Sequence, residues 1–509
     1  MPSLKPARVR SILALGAVLL AVASPAAAQD IDAIKSQITT FTLDNGLRFI
    51  VYENHDAPVF TYFSQAKVGS VDEVPGITGL AHMFEHMAFK GTSQIGTSDS
   101  KKEAKALEAV DTAYAAWWQA KIKGRGEGEL EKLWEVVTAA QEAAGEYVVT
   151  NEFGTIIEEA GGAGLNAYTT PDITGYFYSL PSNKLELWAW LESERWKDPV
   201  LREFYKERDV VQEERRMRTE SSPIGRLIEE FLTASYLGHP YGQPTVGHMS
   251  DLQSFTRRDA VDFYKKYYPP SNIVICLSGD VYPDQVKKLA KTYFENWISD
   301  MPQPEPVRTV EPVQRAERRV VMDDPGQPFY LVAYHKPAGS HPDARTFDLI
   351  TNLVANGRSS RLHQRLVKEE KKAVQVGAIT EIPGELYPGL FLIYAVPGKD
   401  VTALECEGAI FEELDRLKHE PISAEELEGV KTRMRANWVR SMRSNQGMAG
   451  GLLGAELIMG GWERGLDYGL ELDSVTAADI QRVAAEAFIS SNRTVGYIVT
   501  EQEDADDAS

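Results

Sequence analysis

Residues 82–86 read HMFEH and lie within a short apolar stretch of the chain. On a helix, side chains four residues apart lie one above the other, so His82 and His86 can reach one metal ion. Glu85 projects from the same side, where a carboxylate can take a proton from a water beside that metal. The order H-x-x-E-H inverts the zinc-binding H-E-x-x-H motif, and it therefore predicts a hydrolytic site with zinc as the metal.

A catalytic zinc ion usually has three protein ligands and one open position, so another ligand must come from elsewhere in the chain. Residues 207–214 read ERDVVQEE and are predicted to form a charged helix. Glu207 and Glu214 share one face of it, whereas Glu213 points about 100° away. One of these two carboxylates could bind the metal while the other supports a ligand from behind. The alternative is that the helix is simply a solvated surface, as most charged helices are.

Residues 79–92 and 207–214 together resemble the M16, or pitrilysin-like, metallopeptidases, in which H-x-x-E-H is followed by E-x-x-x-V-x-x-E on a second helix. The resemblance implies that His82, His86 and Glu214 bind one zinc ion. It also implies that Glu85 is the general base and that Glu207 supports the ligands from behind. The expected activity is that of a zinc endopeptidase acting on unfolded peptides or small proteins.

The segment LNAYT at 165–169, followed by Asp172, Thr174 and Tyr176, resembles the strand of that family which pairs with the backbone of the substrate. The resemblance implies that Asn166 and Ala167 hold a peptide as an added strand, with loose sequence preference. The likeness to the family extends from about residue 41 to about residue 500.

A repeat with an offset of 220 residues predicts two related domains, because SFTRRD at 254–259 is matched by SVTAAD at 474–479. Both segments read as helix starts with a capping Ser or Thr. The expected fold class is α+β, with two homologous M16-type α/β domains, each an antiparallel-rich sheet flanked by helices. The first domain is assigned to 35–299, a proline-rich linker to 300–318 and the second domain to 319–503.

The interval between His86 and Glu214 is longer than is usual in the family, and the surplus maps to residues 98–149. Two helical stretches broken by the glycine-rich segment 124–128 predict an inserted helical hairpin. Its apolar residues are expected to form a seam between the two helices, with a partner interface as the alternative; they are Leu107, Val110, Tyr114 and Trp117. The hairpin is expected to be separable from catalysis.

Residues 1–28 have a basic start, a short apolar core and a small-residue end, which predicts a secretory signal peptide and export, to the periplasm of a bacterium. The alternative is that this segment is retained as a membrane anchor. If it is cleaved, we expect no stable membrane insertion of the mature protein. The formal net charge of −20 disfavours binding to nucleic acid or anionic membranes. Cys276 and Cys406 are expected to be buried thiols rather than a disulfide.

The second domain departs from the family. There, an Arg and a Tyr seven residues apart follow an S-R-L sequence and are thought to hold the substrate and the oxyanion. Here Val367 and Val374 occupy those positions after SRL at 360–362. The departure implies a heterodimer in which a zinc-free M16 homologue supplies the Arg/Tyr pair. The alternatives are a homodimer that uses Arg361 or Arg365, and a non-catalytic scaffold subunit.

Overall fold

The computed structural model describes residues 25–499. The predicted signal peptide lies outside this range apart from 25–28, which open the first helix, and the end of the predicted second domain, 500–503, also lies outside it. Within the described range, no helix has both the length and the apolar composition that a membrane crossing requires.

The described chain contains helices and strands in mixed order. The helices are α1 (Pro25–Ser36), α2 (Leu80–Met87), α3 (Ser100–Ile122), α4 (Glu127–Gly145), α5 (Glu152–Glu159), α6 (Leu185–Lys197), α7 (Phe204–Arg215), α8 (Pro223–Ser235), α9 (Met249–Leu252), α10 (Arg257–Tyr267), α11 (Pro283–Phe294), α12 (Ala344–Val354), α13 (Ala403–His419), α14 (Ala424–Ser441), α15 (Asn445–Gly454), α16 (Glu463–Leu466), α17 (Tyr468–Ser474) and α18 (Ala477–Ala487). The strands are β1 (Ile38–Thr42), β2 (Arg48–Glu53), β3 (Val59–Ala66), β4 (Ala163–Thr169), β5 (Thr174–Pro181), β6 (Ile273–Gly279), β7 (Arg318–Asp323), β8 (Tyr330–Lys336), β9 (Ala373–Ile382), β10 (Gly389–Pro397) and β11 (Arg493–Val499).

The strands form two sheets that share an arrangement of five strands, and the first sheet has one further strand, β1, at its edge. The first has the order β1-β2-β6-β3-β5-β4, and the second has the order β7-β11-β8-β10-β9. In each sheet one parallel pair, β2 with β6 or β7 with β11, is followed by antiparallel neighbours. The expected α+β class with two related units is thereby confirmed. We refer to the first sheet with its helices as the first unit, and to the second sheet with its helices as the second unit.

The repeat seen in the sequence has the same local structure in both units. Thr256 and Asp259 form a reciprocal capping box at the start of α10, and Thr476 and Asp479 form the same box at α18. Sixteen residues after each threonine, an asparagine side chain donates to two backbone carbonyl groups just before the strand that follows. Sequence similarity at this offset therefore reflects a shared helix–turn–strand structure.

Each sheet is covered on one face by a helix from the other half of the chain. Helix α15 packs Met448 and Leu452 against Ile50 and Phe63 of the first sheet. Helix α8 packs its own apolar face against Leu331 and other residues of the second sheet. Because the coverage is reciprocal, the two units share apolar surface beyond the linker that joins them.

Both cysteines, Cys276 and Cys406, are buried and form no disulfide, as expected.

The inserted hairpin packs on the helix that carries the predicted third ligand. Trp117 contacts Trp134 across the hairpin with ring centres 4.8 Å apart, so part of the expected seam is present. Tyr114, however, stacks on Tyr205 of α7 at 4.1 Å, and its hydroxyl accepts a hydrogen bond from Arg208. These contacts with the catalytic unit argue against a separable hairpin, and its deletion remains to be tested. Periodicity identifies an apolar face but not every element that it contacts.

A buried ion pair also fixes the hairpin. Arg202 donates from Nε to Glu103 Oε1 at 2.7 Å and from Nη2 to Oε2 at 3.1 Å, and both side chains are buried. The same guanidinium donates to the carbonyl groups of Thr92 and Ile95, in the segment after α2. The first turn of the hairpin is thus tied to the chain that leaves the HMFEH helix.

We expect Glu103→Ala to lower the free energy of unfolding by about 3–5 kcal/mol, because it leaves the Arg202 charge buried without its partner. Glu108→Ala, on the exposed face of the same helix, is the control and should change stability by less than about 0.5 kcal/mol. Urea unfolding measures both. Equal stability of the Glu103 and Glu108 variants would contradict this account.

Replacing residues 98–149 with a short linker removes the ion pair and the packing on α7 together. We therefore expect this deletion to yield no stably folded protein.

Candidate metal centre

Helix α2 presents its polar residues on one side because the others are buried. Leu80, Met83, Phe84 and Met87 are fully packed in the core of the first unit. The start of the helix is held by Glu73, whose buried carboxylate accepts from the amides of Gly79 and Ala81 at 2.7 Å each. Burial raises the pKa of Glu73 to about 8. Sequence spacing did not indicate this residue, since it lies in the turn before the helix.

Helix α7 lies against α2 and carries the two carboxylates predicted to take part in the site. The helix is anchored by buried Arg208, Val211 and Arg215 on its other sides. Glu207 and Glu214 lie on the face towards α2, as the seven-residue spacing predicted. Glu213 points to solvent, with its side chain 61% exposed and paired with Arg216 at 2.9 Å.

The three predicted ligands converge. His82 Nε2 lies 3.6 Å from Glu214 Oε1, and His86 Nε2 lies 3.3 Å from Glu214 Oε2. One potential ligand atom from each residue lies within 4.8 Å of those of the other two. Ligands bound tetrahedrally to zinc at ordinary bond lengths are about 3.3 Å apart. The cluster therefore needs only small side-chain adjustments to hold one ion.

Glu207 supports the cluster from behind. Its Oε1 lies 2.9 Å from His86 Nδ1, which leaves His86 Nε2 directed towards Glu214. Its other oxygen is paired with Lys90 Nζ at 2.7 Å. Carboxylate–histidine contacts of this kind fix the orientation of a ligating imidazole. Lys90 lies four residues after His86, just beyond the end of α2, and no motif in the sequence marks it.

The protonation of the metal-free cluster follows from these contacts. Burial and the neighbouring His86 lower the pKa of His82 to about 4, so His82 is neutral and can act as a ligand at neutral pH. Burial acts to lower the pKa of His86, but hydrogen bonds to Glu207 and Glu214 outweigh it and raise this pKa to about 9. Against the effect of burial, hydrogen bonds from His86 and Lys90 lower the pKa of Glu207 to about 2. A divalent cation would therefore replace a proton on His86.

Glu85 lies beside the cluster and contacts the strand that the sequence linked to substrate. Its Oε2 accepts a hydrogen bond from Thr169 Oγ1 at 2.6 Å. Burial raises the pKa of Glu85 above its usual value, while this hydrogen bond acts in the opposite direction. The contact joins α2 to the end of β4, and it could not be read from the sequence because 84 residues separate its partners.

Strand β4 is the edge strand of the first sheet and pairs on one side with β5. Asn166 is exposed, and its side-chain oxygen accepts a hydrogen bond from the amide of Ala167 at 2.9 Å. An edge strand presents unpaired backbone groups to which another extended chain can add. Asn166 and Ala167 thus lie on a strand that ends beside Glu85.

The second unit offers no free arginine at the positions considered from the sequence. Arg361 is bonded twice to Glu426, at 2.8 and 2.7 Å, and once to Glu413. Arg365 is paired with Glu370 and Glu412. Val367 packs against the core, and Val374 is 62% exposed on strand β9.

Two family models match the chain. The model described as Insulinase (Peptidase family M16) matches residues 49–117, and the one described as Peptidase M16 inactive domain matches residues 254–434. The zinc protease PqqE of Helicobacter pylori is 29% identical over 499 residues, which cover 96% of this chain and 98% of that protein. The uncharacterized zinc protease YmxG of Bacillus subtilis is 22% identical and covers 89% of this chain and 96% of its own length.

Solved structures show the same fold. A protease from Helicobacter pylori is 28% identical, has a TM-score of 0.76 and covers 91% of this chain and 99% of its own. The periplasmic protease PqqL from Escherichia coli is 19% identical with a TM-score of 0.67; the match covers 92% of this chain but 48% of that one. The present fold thus corresponds to about half of that longer chain.

Proposed function

Because the chain belongs to the M16 family of peptidases, we propose that it is a zinc-dependent endopeptidase that cleaves unfolded peptides or small proteins. The observation that carries the proposal is the convergence of His82, His86 and Glu214 beside Glu85, next to an edge strand. Two relatives named as zinc proteases support the choice of metal.

The donor set suits zinc, which favours nitrogen and carboxylate ligands in a four-coordinate site with one open position. When bound, zinc would supply a Lewis acid for the attacking water and for the scissile carbonyl group. His82 and His86 would bind it through Nε2, and Glu214 through a carboxylate oxygen. Glu207 would keep His86 in its ligating orientation, with Lys90 balancing its charge.

Glu85 would act as general base and acid. Its carboxylate would take the proton of the attacking water and then deliver a proton to the leaving amine, as bond cleavage requires. The hydrogen bond from Thr169 would hold the carboxylate towards the substrate on β4.

Glu214→Gln should lose zinc, because an amide oxygen is a poorer ligand than a carboxylate, and His82→Ala and His86→Ala should do the same. Glu213→Gln is the matched control: it changes the adjacent, exposed carboxylate and should keep one zinc per chain. Metal content after dialysis, measured by plasma mass spectrometry, distinguishes the four variants. Zinc lost from the Glu213 variant and kept in the Glu214 variant would overturn the assignment of the third ligand.

The substrate would add to β4 as an extended strand, held by the backbone around Asn166 and Ala167. Ala167→Pro should raise KM about tenfold, because proline removes the amide donor, which a bound peptide would take over from the Asn166 side chain, while an edge strand tolerates the ring. Ala167→Ser keeps the amide and should retain the parental KM. Kinetics on an unstructured peptide give both values; equal KM in the two variants would exclude backbone pairing at this residue.

We further propose a heterodimer with a zinc-free M16 homologue that supplies the missing Arg/Tyr pair. Arg361 and Arg365 are already neutralised by carboxylates, which disfavours their use on a substrate. The match to about half of PqqL is compatible with two such folds acting together. Residues 1–28 favour export to the periplasm, the location named for PqqL, and N-terminal sequencing of the mature protein would test whether it begins after residue 28.

A further inference from the structure

The turn between β4 and β5 lies where the two units meet. Asp172 in this turn is buried. Its carboxylate accepts hydrogen bonds from one hydroxyl group and two backbone amides, all of them uncharged. Tyr241 donates its hydroxyl to Oδ1 at 2.5 Å, and the backbone amides of Glu385 and Leu386, in the second unit, donate to Oδ2 at 2.7 and 3.0 Å. Three hydrogen bonds thus converge on one buried carboxylate, and two of them come from the backbone of the second unit, so Asp172 ties the units together.

The chain is closely packed on both sides of this turn. A Cβ atom on Gly384 would lie 2.4 Å from Asp172 Oδ2, so only glycine lets the loop of the second unit approach the carboxylate. On the other side, a Cβ on Gly69 would lie 2.2 Å from the carbonyl oxygen of Thr170. The Val71 amide also donates to the Pro171 carbonyl at 3.0 Å. The turn is therefore held between the segment before α2 and the second unit.

This tie is close in sequence to the site. Thr169, three residues before Asp172, ends β4 and bonds Glu85. The Thr170 amide donates to the Ile173 carbonyl at 2.9 Å, which makes the turn compact. Because β4 pairs with one neighbour only, its position depends on β5 and on this turn. A displacement of the turn would move both the substrate strand and the hydrogen bond to Glu85.

We propose that Asp172 is a positioning residue, through which the second unit fixes strand β4 and the Thr169–Glu85 contact. Its effect on catalysis rests on the peptidase function proposed above, whereas its effect on β4 does not. The second unit thus contributes to the site in the first unit through the backbone amides at 385 and 386.

The test compares Asp172→Asn with Asp324→Asn in the full chain. Asp324 is also buried and also joins the two halves of the chain, through Arg226 of α8, but it has no contact with β4. Asparagine at 172 retains one acceptor oxygen and places an amide group where the carboxylate accepted hydrogen bonds. We expect amide hydrogen exchange in residues 163–169 to rise at least tenfold in the Asp172 variant and to stay parental in the Asp324 variant.

Zinc content should remain at the parental value in both variants. In the zinc-loaded enzyme with its partner, Asp172→Asn should lower kcat/KM by about 10- to 100-fold through both kcat and KM, since a small misplacement of a site has effects of this size. A merely structural role would instead lower the melting temperature without selective exchange in β4. That result, or parental exchange of β4 in a folded Asp172 variant, would overturn the proposal.

If Asp172→Asn does not fold, Tyr241→Phe provides the milder variant. It removes one of the three donors to Asp172, together with the acceptor of the Tyr387 amide, and leaves the amides of Glu385 and Leu386 bonded to Asp172. Exchange of β4 should then rise by a smaller factor, and unchanged exchange would again reject the proposal. If the parental enzyme cleaves no peptide, the peptidase function fails, while the exchange measurement still decides the role of Asp172.

Discussion

Glu85→Gln is expected to bind zinc at the parental stoichiometry and to lose roughly 10²- to 10⁴-fold in kcat. Glutamine has nearly the same shape, and its oxygen can still accept the hydrogen bond from Thr169. It cannot take a proton from water, however, so the chemical step loses its base while the three ligands remain. Zinc analysis and peptide kinetics on the same preparation measure both parts.

Glu213→Gln is the control for this experiment as well, since it makes the same chemical change on an exposed side chain. That variant should keep both zinc and turnover. If Glu85→Gln cleaves peptides at the parental rate, Glu85 is not the base. If it loses zinc together with activity, the carboxylate has a role in metal binding that the three-ligand cluster does not include.

The chain purified alone is expected to turn over peptides at no more than about 1% of the rate of its complex with the zinc-free homologue. A single preorganised donor to the developing oxyanion contributes about 10²- to 10³-fold in kcat. Val367 and Val374 occupy the positions of the expected donors, and a hydrocarbon side chain can donate no hydrogen bond. Kinetics with and without the separately purified homologue test the expectation, and light scattering after gel filtration tests the assembly.

Arg361→Ala and Arg365→Ala separate this arrangement from a homodimer. Both should leave the activity of the complex largely unchanged, because each arginine is already bonded to glutamates of its own unit. Full turnover by the isolated chain, lost on either substitution, would reject the heterodimer in favour of the homodimer. Full turnover that survives both substitutions would show that the oxyanion donors lie elsewhere in this chain.

Features with a fixed spacing could be predicted from the sequence. The four-residue spacing of His82 and His86, the seven-residue spacing of Glu207 and Glu214, and the 220-residue repeat each follow from a regular helix or a repeated fold. The structure contains the corresponding helices and the two related sheets. The roles of the site residues remain predictions that the variants above test.

Contacts between distant segments could not be predicted in this way. Glu73, Thr169 and Asp172 act through partners whose positions are set by the tertiary fold, and no spacing within their own segments indicates those partners. The same reason explains the hairpin, where the periodicity identified the buried face of α3 but not its contact with α7. Burial of Glu103 depends on Arg202, 99 residues away, and has no local pattern.

The reciprocal packing of α8 and α15 has a consequence for synthesis. During translation, the back of the first sheet stays bare until residues near 454 have left the ribosome, because α15 is what covers it. The N-terminal half therefore cannot reach its final state while the rest is still being made, and it exposes apolar surface in the meantime. A gene cut at the linker would leave one apolar sheet face uncovered in each product, so co-expressed fragments should recover native protein only if they find each other before they aggregate.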